Sequence, residues 1–269
     1  MDISDELLQK YMAAYQKEQE RVPVNLARYQ KEVDDAEKEL RAAIASGDKH
    51  LVYGYQDVLK QSKYDLISYR ERSSFLREPT RDDIQYRNRQ RSEFPEKIKN
   101  LDEGKMLCFH GTDINGAKHI LLSGKISSGA DRTGRSTSFD PPGKISVTNK
   151  DTVDTSISTY MNIDANYCYP AGCLFVVTPA DKGEYEALSG IGWMIRNVDF
   201  KTQPDRLVSV VTTPENLDKV RDWARQGGID TSKIMDFDAF VHKYHAQNDK
   251  GLSLAVRKSV VAKGLGKGL

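Results

Sequence analysis

The chain has no long apolar run. None of its hydrophobic stretches approaches the roughly 18 to 20 residues that a membrane-spanning helix needs. The opening Met1-Asp2-Ile3-Ser4-Asp5-Glu6 is acidic and has no apolar segment, so no secretory leader is expected. Net charge is nearly absent too: 40 basic residues face 39 acidic ones, and no global field favours nucleic acid or a membrane surface. Cysteine is scarce. The three present, Cys108, Cys168 and Cys173, lack zinc-like spacing, and two sit in strand-like apolar contexts, which reads as reduced core thiols. No Gly-rich phosphate fingerprint follows a strand: Gly264-Leu265-Gly266-Lys267-Gly268 lies at the terminus and opens no helix. His242 and His245 stand three apart with Asp238 a turn earlier, a spacing better explained by an exposed amphipathic helix than by a metal. No Ser-His-Asp arrangement follows from spacing, since such triads assemble only in the fold.

What is present divides the 269 residues in two. Apolar content of 38% against 29% charged suggests a highly charged helical portion. Ser4 suits an N-cap, with Ile3, Leu7, Leu8, Tyr11 and Tyr15 on one stripe. Pro23 reads as the first turn of a second helix, in which Leu26, Tyr29, Val33, Ala36, Leu40 and Ile44 recur at three- and four-residue steps. Ser46-Gly47-Asp48 breaks it, and Leu51, Tyr55, Val58, Leu59, Leu66 and Tyr69 mark the return helix of an antiparallel hairpin. The stripe serves self-packing and partner docking equally well. Thr80 with Asp83 resembles a helix start. Arg81, Arg87, Arg89 and Arg91 then read as a solvated basic helix, with Ser92 to Gly104 as a linker around Pro95.

From Lys105 the pattern turns to short β-rich runs between helices: Met106–His110, Lys144–Thr148, Cys173–Thr178, Trp193–Phe200 and Arg206–Thr212. A helix is expected over Thr152 to Met161, another from Pro214 to Gly227, and a last one over about Met235 to Tyr244. Ser127 to Gly143 is a long polar loop, and loops of that length are usually functional. The tail from Lys250 carries five basic residues and no acidic one. A frayed tail with a weak affinity for anionic surfaces is expected there.

Phe109-His110-Gly111-Thr112 is the most informative motif. It ends an apolar strand and is followed at once by a helical pattern, Asn115 to Leu122, closed by Ser123-Gly124. Imidazole, bare backbone and hydroxyl at one strand exit suit the gripping of a polar ligand.

Residues 105 to about 212 resemble a mono-ADP-ribosyltransferase domain, of the group that includes poly(ADP-ribose) polymerases and bacterial toxins. The resemblance rests on the strand ending in His-Gly-Thr and the helix ending in Ser-Gly. The polar loop leading to Gly143-Lys144-Ile145-Ser146-Val147, the helix containing Tyr160 and the strand Gly172 to Val177 complete it. It implies an α+β chain with a split β-sheet domain over 105–249, behind an N-terminal α-helical hairpin or bundle over 1–104 and before a basic tail, 250–269. It implies that NAD is the co-substrate, with no metal. His110 would hold a ribose hydroxyl, Gly111 the carboxamide, with Thr112 beside them, and Tyr160 would stack on the nicotinamide. Arg135-Ser136-Thr137-Ser138 looks like the Ser-Thr-Ser of toxin-like members, which makes Ser136 a candidate brace; a turn-forming serine explains it equally. Polymerase-like members carry a Tyr where this chain has Ile145-Ser146-Val147.

The family uses a Glu near the penultimate strand, where a carboxylate stabilises the cationic transition state. Aligned by topology, its acidic positions fall on or near Ile195 and Asn197, and neither is acidic. Glu184-Tyr185-Glu186, in the preceding loop, looks like a displaced Glu-x-Glu. Glu186 is the first candidate, then Glu184 or Asp199, which shares the face of Ile195 and Asn197 because side chains alternate with period two. Glu215 is a fourth, already explained by a helix dipole.

A charged helical front end on a compact transferase also resembles bacterial effectors delivered into host cells. That implies residence in the bacterial cytoplasm and then the host cytosol. The helices would dock a target protein, or a chaperone or secretion partner, and ubiquitin is a candidate target because some such families modify it. Two alternatives stand beside this reading: a catalytically inactive module of the same fold, and an NAD-dependent enzyme acting on nucleic acid, against which the balanced charge argues.

Overall fold

The structure is a computed structural model that describes residues 3–99, 106–129, 131, 141–161, 167–184, 186–188 and 192–244. Helix α1 (Asp5–Ser46) begins where the Ser4 hydroxyl accepts the Leu7 N–H, with Asp5 and Glu6 in its first turn. Pro23 lies inside α1 rather than opening a second helix. It stands on the exposed face, where water can take the carbonyl that loses its donor, and the flanking turns keep the helix in register. Gly47, at φ 73°, reverses the chain in a left-handed conformation that glycine adopts without strain. Asp48 then caps α2 (Lys49–Ser73) through the His50 and Leu51 N–H groups. The hairpin seam is thin: Val33, Ala36 and Ala43 of α1 and Leu66 of α2 are buried, and Tyr29 meets Tyr69 at 5.1 Å.

Helix α3 (Arg81–Lys99) corrects two expectations. It runs through Pro95 to Lys99, so most of the expected linker is helical. It is also not a solvated basic helix. Arg87 is wholly buried, donates from Nε to Asp83 at 2.9 Å, forms an ion pair with it at 2.7 Å, and donates to the Met161 carbonyl at 2.9 Å. Phe94 and Ile98 enter the core of the β-region, with Phe94 against Phe237 at 4.5 Å.

That region contains β1 (Cys108–Thr112), α4 (Ile114–Ser123), β2 (Lys125–Ile126), β3 (Lys144–Val147), α5 (Val153–Met161), β4 (Cys173–Val177), β5 (Glu186–Leu188), β6 (Gly192–Arg196), β7 (Val198–Asp199), β8 (Leu207–Thr212), α6 (Leu217–Gly227), β9 (Ile234–Asp236) and α7 (237–244). One sheet has the order β1-β4-β8-β9, antiparallel except for the last pair. A second has the order β3-β6-β5, all antiparallel, and β2 pairs with β7. Among the described residues the two larger sheets are joined by one bridge, in which Phe109 and Thr148 exchange both backbone hydrogen bonds at 2.8 Å. The expected strand Trp193 to Phe200 is broken at Asn197, because its first part pairs with β3 and its last part with β2. Asp199 therefore does not continue the row of Ile195 and Asn197.

Strand β4 is buried on both faces, and its alternate residues feed two cores. Cys173, Phe175 and Val177 pack with Leu121 of α4, Val220 of α6 and Ile145 and Ile195 of the second sheet. Leu174 and Val176 pack with α3, with Ile157 and Tyr160 of α5 and with Phe240 of α7. The chain is thus mixed α and β, with a helical front end.

The front end does not stand apart. Tyr11 packs edge-on against Tyr167 at 4.8 Å, and Tyr169 donates to Glu18 at 3.1 Å. Arg77, after α2, holds Glu215 through two bonds of 2.7 Å and Asp83 at 2.9 Å, so Glu215 anchors the hairpin to the start of α6. The three cysteines are buried and free, and burial pushes the Cys108 and Cys173 thiols up to about 12. Among the described residues no helix is long and apolar enough to cross a membrane.

Candidate functional site

Strand β1 sets up the site by alternation. Gly111 faces α5 so closely that an added Cβ would lie 1.9 Å from the Ser156 carbonyl oxygen. Its bare backbone therefore serves helix packing as well as anything that binds in front. His110 and Thr112 point the other way, into a cleft of about 520 Å³. Helix α4 supplies His119, Ile120 and Ser123 to it, β2 supplies Lys125, and the start of the polar loop supplies Ser127, Ser128 and Gly129. Strand β3 gives Ile145 and Ser146, and α2 of the hairpin gives Tyr64.

The geometry around His110 is specific. Its Nδ1 lies 2.9 Å from the Ser146 carbonyl oxygen, which accepts only if Nδ1 carries the proton. In the neutral ring Nε2 is then the acceptor. Phe109 spends both peptide groups on Thr148, so the alternation of an antiparallel ladder gives the β4 bonds to Cys108, His110 and Thr112. The N–H and C=O of Gly111 consequently point to the same side as those of Phe109. There β3 has turned away to pair with β6, and among the described residues the β1–β3 ladder does not extend beyond the Phe109–Thr148 bridge. The split between the sheets thus directs a peptide donor and a peptide acceptor into the gap beside His110.

The far wall is held by polar ties. The Ser128 N–H donates to Asn197 Oδ1 at 3.0 Å, and the Ser128 hydroxyl accepts from the Asp131 N–H at 3.0 Å. Asp131 accepts in turn from Asn197 Nδ2 and, at 2.9 Å, from the Gly143 N–H. Those bonds, the Asn197 one first, hold its carboxyl below the ordinary carboxylate value. Asn197, at the break between β6 and β7, thus tethers both ends of the polar loop.

The candidate acids fall in three different places. Glu184 is buried: it pairs with Arg206 at 3.0 and 3.2 Å, accepts the Arg196 N–H at 2.8 Å and accepts the Ala180 N–H. That carboxylate is saturated and holds the turn before β5. Asp199 pairs with Lys125 at 2.9 Å and caps the turn at Lys201, and the Lys125 hydrogen bond lowers its carboxyl. Among the described residues it meets the cleft only through Lys125. Glu186 opens strand β5, where the sequence reads a loop, and stands opposite Met194, which stands opposite Ser146. All three belong to one cross-strand row, and two strand spacings put the Glu186 Cα about 10 Å from that of Ser146.

Tyr160 is entirely buried in the core behind β1, its hydroxyl without a hydrogen bond among the described residues. It does not line the cleft. Ser136 and His245 lie outside the described residues. Among the described residues no cluster of three or more His, Cys, Asp or Glu could hold a metal ion. The residues that sequence reasoning passed over are Tyr64, His119 and Lys125. His119 and Ser123 share a face of α4 at helical spacing, a weak signal, while nothing local marks Tyr64.

The lining can therefore bind a polar ligand with hydroxyl and anionic groups. It has a lysine, two imidazoles and several hydroxyls, with the apolar Ile120 and Ile145 and one aromatic ring. No carboxylate occurs among the described lining residues. Compared with known proteins, the chain matches no family model, and no curated protein and no solved structure is significantly similar to it.

Proposed function

We propose that the chain is an NAD-dependent mono-ADP-ribosyltransferase that modifies a protein side chain. One observation carries the reading: the peptide groups of Gly111 open into the split between β1 and β3, beside a histidine whose tautomer is set by the Ser146 carbonyl. A primary carboxamide offers one donor and one acceptor, the complement of that open peptide edge. His110 Nε2 accepts a ribose hydroxyl, and Lys125 offers charge to the phosphates. Glu186 serves as the catalytic carboxylate, because its row leads to Ser146 and its two rivals are committed elsewhere.

In this chemistry the bond between the nicotinamide nitrogen and ribose C1′ breaks, and its electron pair returns to the ring, which leaves neutral. The cationic sugar that develops is stabilised by the carboxylate. An acceptor side chain then adds to C1′ and loses its proton. The helical hairpin docks the acceptor protein, for which the exposed Val24, Ile44 and Leu51 provide apolar contacts. A host protein such as ubiquitin is the acceptor class we favour, with the chain acting as a bacterial effector.

Incubation with labelled NAD and a host-cell lysate tests this. A labelled protein band and released nicotinamide are expected, and Glu186→Gln should lower transfer at least about a hundredfold with NAD affinity kept. Absence of both label and nicotinamide release would sink the enzyme reading. The absence of a carboxylate among the described lining residues favours a second reading, an NAD-binding module without activity, which predicts NAD binding and no release.

A further inference from the structure

Helix α2 belongs to the hairpin, yet it reaches the cleft. Tyr64 lies in the cleft wall and keeps 40% of its surface exposed. Two turns further along the same face, Glu71 bonds His119 Nε2 at 2.7 Å and lies 3.7 Å from Lys118 Nζ. His119 is itself a cleft residue on α4. The clasp therefore pins α2 against the wall that α4 provides and fixes where Tyr64 stands. Arg72 over the Tyr169 ring at 5.0 Å and Phe75 against Trp223 at 6.1 Å hold the same end of α2.

Other tyrosines of the hairpin have work in the fold. Tyr11 packs on Tyr167, and Tyr69 packs on Tyr29 and accepts from Asn25 at 2.9 Å. Among the described residues Tyr64 has neither a ring partner nor a hydrogen bond. Among the described residues of a cleft whose other members include hydroxyls, imidazoles, an amine and two isoleucines, this half-open ring is the one six-membered aromatic surface.

On the strength of the NAD reading, we propose that Tyr64 is a ligand-contact residue whose ring stacks on a planar heterocycle of the bound dinucleotide. The helical hairpin then completes the nucleotide site and is more than a docking arm. Glu71 is a positioning residue that acts through α4.

The test is equilibrium binding of NAD to the full chain by calorimetry. Tyr64→Ala should bind about tenfold more weakly, as loss of a ring stacked on a base does. Tyr64→Phe should stay within about twofold of the wild type. Tyr53→Ala, three turns away on α2 and outside the cleft, should bind as the wild type does. Should the alanine variant lose its fold, Tyr64→Leu removes the ring while keeping bulk and helix propensity, and the same loss is expected. Wild-type affinity in the alanine or leucine variant overturns the proposal, as does a phenylalanine variant as weak as alanine. If the wild type itself fails to bind NAD, the functional reading falls and this proposal with it. If the wild type binds and Tyr64→Ala is indifferent, this proposal alone falls.

Discussion

The two sides of strand β1 differ as far as two sides of one strand can. Behind it, Phe109 and Gly111 press on α5 and on a core that also holds Phe94, Tyr160, Phe237 and Phe240. In front, His110 and Thr112 look into an open cleft. The close-packed back fixes the strand, so the front can expose peptide and imidazole groups without collapsing on them. The comparison teaches that Gly111 serves both sides. Its missing side chain lets α5 approach, while its peptide groups point into the gap.

Substitutions can break this contrast, because a back variant should move stability and a front variant should move affinity. Gly111→Ala has the largest effect. The added methyl would overlap the Ser156 backbone, and a loss of about 3 kcal/mol is expected, read as a lowered thermal midpoint. His110→Ala comes next and acts in front. It should weaken NAD binding about tenfold or more, with the thermal midpoint within about 2 °C of the wild type. A large loss of stability there would mean that the Ser146 bond is structural. Tyr160→Phe is the smallest. Its buried hydroxyl has no partner among the described residues, so removal should be neutral or stabilise by about 1 kcal/mol, with NAD affinity unchanged. A loss of affinity would instead return Tyr160 to the nicotinamide.

Much of the β-region was legible. Runs such as Cys173 to Val177 are continuous and apolar, and the helix over Ile114 to Ser123 carries an Asp113 cap and a Gly124 stop. The misreadings share a cause. Pro23 and Pro95 are local breakers, yet exposure in one case and tertiary packing in the other keep the helix continuous. Asn197 looks like a strand residue, but each flanking segment has a different partner. Tyr160 looks like a site aromatic because its helix follows the right strand, and only the phase of α5 against β1 turns its ring into the core.

By itself the sequence determined the Ser4 cap, the Gly47 and Gly124 stops, most strands of the β-region, and that His110-Gly111-Thr112 ends a strand, since all of these follow from short-range sterics and periodicity. Tertiary structure alone decided which carboxylate was saturated, which was paired, and that Glu186 takes a strand position in the row leading to Ser146. It also decided that a tyrosine 46 residues before His110 lines the same cleft. Such facts depend on register and on contacts between distant segments, and no local pattern encodes them.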